Sequence, residues 1–109
     1  MRLGKEPKMR GLRDIGSPKM SITVKLHPIL QNLAGGQEMV EVTGHTTGEC
    51  LEDLESRFPV IKQLIRDNRG ELRRYCEILV NSKSTYPREL TTPVKDGDQI
   101  DIMIFVAGG

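Results

Sequence analysis

The sequence lacks a long apolar run and a strong excess of charge, and each absence excludes a class of protein. Its longest apolar run, residues 102–107, is far shorter than the roughly 20 residues that a helix needs to cross a bilayer. No membrane span is therefore predicted. The formal net charge is only +1. A general nucleic-acid-binding protein usually gathers a basic excess on one face, so this class is not favoured either.

Cysteine is also scarce, since Cys50 and Cys76 are the only two in the chain. They lie too far apart for a Cys-x-x-Cys pair, and no export signal supports a disulfide, so a reducing cytoplasm fits best. We expect both thiols to be buried, with a sulfur-relay role as the alternative. His27 and His45 have no zinc-ligand spacing, so no metal site is predicted.

The N-terminal segment, residues 1–19, is basic, with six basic and two acidic side chains. It has no apolar centre of the kind that a secretory signal needs, and its acids, prolines and glycines fit a transit peptide poorly. We predict a disordered basic extension over residues 1–19 and one folded domain over residues 20–109. Met20 directly precedes the first patterned segment and is an alternative natural start.

Alternation of apolar and polar residues predicts two strands near the start of the domain. The first strand begins at Ser21, and the second covers residues 39–42. Between them, Gly35 and Gly36 permit a flexible connection, so the two strands are expected to form a hairpin. The buried side of the first strand is predicted to carry Ile22, Val24 and Leu26.

A helix is predicted from Thr46, because Glu49 follows at the spacing of a capping box. Its core face is expected to carry Leu51, Leu54 and Phe58, and its polar faces Glu52, Asp53, Glu55 and Arg57. Pro59 should end this helix at Phe58 and open a second short helical segment over residues 60–65.

Two more strands are predicted in the second half of the chain. Residues 75–80 have strand composition, and a turn over residues 95–98 precedes alternation in which Ile100, Ile102, Ile104 and Val106 face the core. The order predicts an α+β fold of the β-grasp (ubiquitin-like) type. It is a mixed sheet with one main helix packed across one face, and its first and last strands are parallel neighbours. A plant-type ferredoxin shares this plan but needs four cysteine ligands, so it is excluded.

The turn Asp96-Gly97-Asp98 before a last apolar strand, with the ending Val106-Ala107-Gly108-Gly109, resembles the MoaD/ThiS family of sulfur carriers. The resemblance implies that an ATP-dependent adenylyltransferase of the ubiquitin-activating type places a transient AMP adduct on Gly109. A sulfur donor then converts the adenylate to a thiocarboxylate, and an acceptor enzyme takes the sulfur. It also implies a carrier with no bound cofactor, which acts as a co-substrate or as the small subunit of a molybdopterin synthase.

The expected flexible diglycine end can also be explained in physical terms, without reference to the family. A carboxylate that must enter an enclosed site benefits from glycine at the last two positions, Gly108 and Gly109, because side chains there would obstruct the channel. Adenylation supplies the leaving group that a carboxylate lacks, so the catalytic groups can belong to the partners. The alternatives are an incidental polar tail, a ubiquitin-like modifier joined to amines, and a pure interaction module.

Met103 and Phe105 alternate with the predicted core residues of the last strand, so they should face solvent or a partner. Exposed apolar groups beside a reactive tail favour a docking surface that includes Val106 and Ala107. The alternative is that a loop or the N-terminal segment covers them. A basic cluster, Arg66, Arg69, Arg73 and Arg74, is interpreted as a solvated connection, with steering toward an acidic groove as the alternative.

Two pathways for the sulfur remain open from the sequence. Ala34-Gly35-Gly36-Gln37, Leu72-Arg73-Arg74-Tyr75 and the chain ending look closer to carriers that serve cysteine synthesis. Molybdopterin-synthase small subunits are more common in the family, and thiamin carriers are usually shorter. The proline that many relatives carry before the terminal valine is absent here.

Overall fold

The computed structural model describes residues 21–105. Residues 1–20 and 106–109 lie outside this range, and so do several predictions. These are the basic extension over residues 1–19 and the roles of Val106, Ala107, Gly108 and Gly109.

Five strands form one mixed sheet, and the helices lie between them in sequence. The strands are β1 (Ser21–Leu26), β2 (Met39–Thr43), β3 (Cys76–Val80), β4 (Lys83–Ser84) and β5 (Gln99–Ile104). The helices are α1 (Pro28–Gln31), a short 3-10 helix (Asn32–Ala34), α2 (Thr47–Arg57) and α3 (Pro59–Ile65). The strand order β2-β1-β5-β3-β4 places the last strand at the centre.

The strand pairing confirms the predicted β-grasp plan. β1 runs parallel to β5, with Val24 opposite Ile100, and antiparallel to β2, with Val24 also opposite Val40. β5 runs antiparallel to β3, where Ile78 lies opposite Ile102. The first and last strands are therefore parallel neighbours, as the sequence predicts.

One core fills the space between the sheet and the helices. Every predicted inward residue of β1 is buried, and Ile100 and Ile102 of β5 are buried as well. Leu51 and Leu54 of α2 are fully buried, whereas Phe58 is only partly so. Each fully buried aliphatic side chain contributes about 1.5–3 kcal/mol to folding, so this set supplies most of the driving force for the fold.

The predicted capping box starts α2, with one difference in its second hydrogen bond. Thr46 Oγ1 accepts a hydrogen bond from the Glu49 backbone N–H at 3.2 Å. The Glu49 carboxylate accepts from the His45 backbone N–H at 2.7 Å, one residue before the position that the motif predicts. Phe58 ends α2 and Pro59 opens α3, as predicted from the proline.

The prediction that Glu55 lies on a polar face of α2 is wrong. Glu55 is buried, and its carboxylate accepts two hydrogen bonds from Arg66, from Nε at 2.7 Å and from Nη2 at 3.2 Å. Arg66 also donates to the Gly70 carbonyl at 2.8 Å. The interpretation of Arg66 as part of a solvated connection is therefore wrong too. Periodicity cannot reveal such a pair, because the two residues belong to different elements.

The connection between β1 and β2 contains helical structure that the sequence prediction omits. His27 caps α1, since its Nδ1 accepts a hydrogen bond from the Ile29 backbone N–H at 3.1 Å. Leu30 and Ala34 are buried against the core. These turns are too short for a helical period to be recognised. β4, with only two residues, is missed for the same reason.

The turn before β5 is held by its second aspartate. Asp98 accepts hydrogen bonds from Asn81 Nδ2 at 3.0 Å and from the Lys95 backbone N–H at 2.9 Å. The Asn81 hydrogen bond, followed by that of Lys95, lowers the pKa of the Asp98 carboxyl below its usual value. Gly97 adopts a positive φ of 92°, which favours glycine at this position. This turn sets the register of the strand that leads to the C-terminal segment.

Candidate functional site

The chain leaves the sheet at the end of its central strand. β5 ends at Ile104, which lies opposite Cys76, the first residue of β3. One further backbone hydrogen bond, from the Phe105 N–H to the Tyr75 carbonyl at 2.8 Å, holds the next residue. The predicted continuation of the alternation to Val106 lies outside the described residues.

The two sides of β5 agree with the predicted face assignment. Ile100 and Ile102 face the core, Ile104 is half-buried near the strand end, and Phe105 is 55% exposed. Met103 is half-buried on the outer side, opposite Glu77 of β3. No residue within 21–105 covers Phe105 fully, so a large apolar side chain remains available beside the C-terminal segment. Its docking role stays a prediction.

A groove of about 650 Å³ opens beside Phe105. It lies between residues 71–77, which lead into β3, and residues 86–91, which follow β4. Its lining includes Cys76, Leu72 and Leu90, together with Tyr86, whose side chain is 75% exposed. This groove is not predicted from the sequence, because the two segments that form its walls are irregular and lie apart along the chain.

The second wall of the groove is fixed by the start of α2. Thr47 is fully buried, and its hydroxyl donates to the Glu89 carbonyl at 2.7 Å. The Gly48 backbone N–H donates to the Leu90 carbonyl at 2.9 Å. A Cβ at position 48 would lie 2.5 Å from that carbonyl oxygen, so only glycine permits this approach. An irregular segment is thus held against the core helix.

The predicted basic cluster divides into separate parts in the structure. Arg66 turns inward to its ion pair, and Arg69 stays on the exposed connection. Arg73 and Arg74 line the groove beside Phe105. Within residues 21–105, the buried Nε of Arg73 has no hydrogen-bond partner. The four arginines therefore do not form one solvated patch.

Both cysteines are buried free thiols, which confirms the predicted burial. Burial, with smaller contributions from Asp53 and Glu49, raises the pKa of Cys50 to about 11. Burial also raises the pKa of Cys76 to about 11, against a weaker opposing effect of Arg73. Both thiols are protonated at neutral pH. A protonated thiol is a poor nucleophile, which disfavours the sulfur-relay alternative.

Residues 21–105 contain neither a metal-binding cluster nor a membrane-spanning helix. No group of three or more histidine, cysteine, aspartate or glutamate side chains there is placed to hold a metal ion. None of the helices in this range is both long and apolar enough to cross a membrane.

The architecture defines a ubiquitin-like protein of the β-grasp class. Among the described residues its central strand is the last one, and Phe105, which directly follows that strand, is exposed. The ThiS family model matches residues 24–109, so the chain belongs to the ThiS family. This confirms the predicted resemblance to the MoaD/ThiS sulfur carriers.

The chain is similar to a named sulfur carrier and to proteins of known structure. The chain is 36% identical over 93 residues to sulfur carrier protein CysO of Mycobacterium tuberculosis, which covers 83% of this chain and 100% of the relative. A chain of the Amycolatopsis orientalis BexX/CysO complex is similar with a TM-score of 0.73 and 36% identity, over 81% of this chain and 99% of that one. Small archaeal modifier protein 1 of Haloferax volcanii is similar with a TM-score of 0.73 and 26% identity, covering 82% and 99% of the two chains.

Proposed function

We propose that this sulfur carrier transports sulfur as a thiocarboxylate on Gly109 and delivers it for cysteine synthesis. The observation that carries the proposal is the similarity to CysO, a named sulfur carrier, at 36% identity over the whole length of that relative. The diglycine ending and the β-grasp scaffold that presents it support the same chemistry. The similarity to CysO favours the cysteine pathway over molybdopterin synthesis and over the thiamin alternative.

The proposed chemistry takes place in two steps on the terminal carboxyl group. A carboxylate oxygen of Gly109 attacks the α-phosphorus of ATP held by an adenylyltransferase, and pyrophosphate leaves. Sulfide released by a donor then attacks the carbonyl carbon and displaces AMP, and loss of the sulfide proton leaves a thiocarboxylate in which one sulfur replaces one oxygen. ATP is a substrate of the partner, and the AMP adduct is transient. Adenylation is needed because an unactivated carboxylate has no good leaving group.

This chain acts as a co-substrate in the proposal and not as an enzyme alone. Its scaffold presents the terminus, while the partners supply the catalytic groups. The protonated state of Cys50 and Cys76 supports a sulfur that travels on the terminus and not on a thiol. Both free thiols and the consumption of ATP support a cytoplasmic site of action.

Partner docking is proposed on the surface beside the C-terminal segment. Phe105 is the large exposed apolar side chain nearest to that segment, and Met103 adjoins it on the outer side of β5. Central aromatic anchors supply most of the binding energy at protein interfaces. Val106 and Ala107 follow directly and are expected to enter the partner with the diglycine. The relative of known structure in the BexX/CysO complex supports an assembly with another protein.

Intact mass spectrometry tests the proposal. The chain is purified after co-expression with the adenylyltransferase and sulfur donor of its own organism, and the chain without Gly109 serves as the control. We expect a mass increase of about 16 Da, the replacement of one oxygen by sulfur, in the full chain alone. Covalent adducts with other proteins would indicate the ubiquitin-like modifier instead, and an unchanged mass would contradict the carrier proposal.

The acceptor needs a separate measurement. The sulfur-loaded chain is incubated in parallel with a cysteine synthase and a serine that carries a leaving group on its β-carbon, and with a molybdopterin-synthase large subunit and its substrate. With the first enzyme we expect the thiocarboxylate sulfur to displace the leaving group, and hydrolysis of the resulting thioester to release cysteine and restore the Gly109 carboxylate. Sulfur transfer to the second enzyme alone would assign the chain to the molybdopterin branch.

A further inference from the structure

The groove beside Phe105 begins where residues 106–109 continue the chain. Its volume of about 650 Å³ lies within the range of cavities that hold small ligands. Cys76 lines the groove and lies opposite Ile104 in the β3–β5 ladder, so the end of β5 stands at its edge. Four extended residues reach about 13–14 Å, so the segment that follows Phe105 is long enough to enter.

The lining of the groove combines apolar surface with arginine side chains. Leu72, Leu90 and Tyr86 supply the apolar part. The arginines are Arg73, Arg74 and Arg88, and none of them forms an ion pair with another residue of the range 21–105. Arginine binds a carboxylate through two parallel hydrogen bonds, which are among the strongest in proteins.

The groove does not carry an excess of positive charge that would attract anions in general. Glu71, Glu77 and Glu89 line it as well, so its charge is balanced. A single anionic group beside one arginine, on an otherwise uncharged segment, therefore fits the groove better than a multiply charged anion does. The sequence Val106-Ala107-Gly108-Gly109 has this chemistry, with two small apolar side chains, two glycines and one terminal carboxylate.

We propose that the groove holds residues 106–109 of the same chain in a docked state, in which the Gly109 carboxylate pairs with an arginine of the groove. The covalent connection gives this segment an effective concentration in the mM range, so it outcompetes a free peptide of the same sequence. The carbonyl groups of the segment also offer acceptors for the Arg73 guanidinium. A partner must displace the docked segment before the terminus can react. The proposal concerns the free chain and does not depend on the thiocarboxylate.

Cys76 reports directly on the occupancy of the groove. Cys76 is 8% exposed and is among the residues that line the groove, whereas Cys50 is fully buried and is not. The rate of alkylation by iodoacetamide is measured at each cysteine at about pH 8.5, where more of each thiol is in the reactive thiolate form than at neutral pH. The full chain is compared with a chain that ends at Phe105, without nucleotide or partner. We expect the truncation to raise the Cys76 rate about threefold, as for a groove occupied two thirds of the time. Equal Cys76 rates in the two chains would overturn the proposal.

Paired substitutions test the role of the arginines. Arg74→Gln with Arg88→Gln should raise the Cys76 rate in the full chain and leave it unchanged in the truncated chain. Lys62→Gln with Arg69→Gln, which also removes two positive charges but outside the groove, should change neither rate. Circular dichroism checks the fold of each variant. An identical rise in both chains would show a structural effect and contradict docking.

The source of the docked segment is checked by dilution. An intramolecular segment gives a Cys76 rate that does not depend on protein concentration. A rate that rises on dilution would assign the groove to the terminus of a second copy and overturn the proposal. Because no ATP or partner enters this assay, its failure would leave the sulfur-carrier proposal intact, and the mass measurement can fail without affecting the docked state.

Discussion

The carboxylate of Glu55 and the guanidinium of Arg66 form a two-bond ion pair that joins α2 to the chain segment after α3. The shorter contact is 2.7 Å, and the two side chains are only 4% and 11% exposed. Arg66 also donates to the Gly70 carbonyl, so the pair fixes the connection that leads to the first wall of the groove. Both charges lie where water cannot replace a lost partner.

Replacement of Glu55 should therefore be costly. We expect Glu55→Ala to lower the free energy of unfolding by about 3–5 kcal/mol, because it leaves the buried Arg66 charge uncompensated. Urea unfolding of the variant measures this loss. Glu52→Ala, at an exposed position of the same helix, is the matched control and should change the stability by less than about 0.5 kcal/mol. Equal effects of the two substitutions would contradict the assigned role of the pair.

The Glu55–Arg66 pair also shows which parts of the fold can be predicted from the sequence. The strands of regular alternation, the capping box at Thr46 and the parallel neighbours β1 and β5 are predicted correctly, because each depends on local periodicity or on a topological rule. The ion pair, α1 and the groove wall at residues 86–91 are not. These features depend on contacts between segments in which apolar and polar residues show no regular period.

Deletion of Gly109 tests whether this terminal residue carries the sulfur. We expect the loss of sulfur loading with an unchanged unfolding temperature, because a terminal residue beyond the last strand contributes little to core burial. Thiocarboxylate formation and thermal unfolding are measured on the same preparation. Sulfur transfer at the normal rate in the shortened chain would contradict the carrier proposal, whereas a large fall in the unfolding temperature would show that the residue has a structural role.

Phe105→Ala tests the docking surface. We expect the affinity for the adenylyltransferase to fall by at least about 1 kcal/mol, the effect of removing a central aromatic anchor. Stability should change less, because the side chain is 55% exposed. Val60→Ala on α3, at a position that is 52% exposed, is the matched control and should leave binding unchanged. Titration calorimetry measures both. An unaltered dissociation constant for Phe105→Ala would contradict the docking role.

Removal of residues 1–19 tests the predicted extension. We expect folding and sulfur transfer to stay essentially unchanged, because the composition of this segment offers few apolar groups to offset the entropy of ordering it. The parallel arrangement of β1 and β5 supports this expectation, since Ser21 lies beside the turn that precedes β5, where it accepts a hydrogen bond from the Gly97 N–H at 3.0 Å, and therefore at the opposite end of β5 from Phe105. Slow amide hydrogen exchange in residues 1–19, in the free chain or in a complex, would contradict disorder.

The candidate site is only partly predictable for a related reason. The exposed side of β5 follows from the alternation of Met103 and Phe105 with Ile102 and Ile104, so the sequence predicts which side chains face outward. The groove beside Phe105 depends on Gly48 and Thr47, whose backbone and hydroxyl bonds hold residues 86–91. The sequence around a single glycine in a helical pattern does not indicate which distant segment that glycine contacts.

The buried thiols give the last prediction, which concerns alkaline pH. Burial raises the pKa of both Cys50 and Cys76 from 9.0 to about 11, so the folded state favours the protonated form more than the unfolded state does. The stability that this difference contributes is fully present below pH 9.0 and is lost as the pH rises toward about 11. We expect the urea midpoint to fall over this interval. The double variant Cys50→Ala and Cys76→Ala should show a smaller fall, even though its stability at neutral pH is lower, because the two thiols no longer contribute to the slope. The two proteins are compared by the slope of the urea midpoint against pH. This slope reports titration of the thiols, whereas the loss of packing lowers the midpoint at every pH. An equal slope in the two proteins would show that the thiols titrate alike in the folded and unfolded states and would contradict their assigned burial.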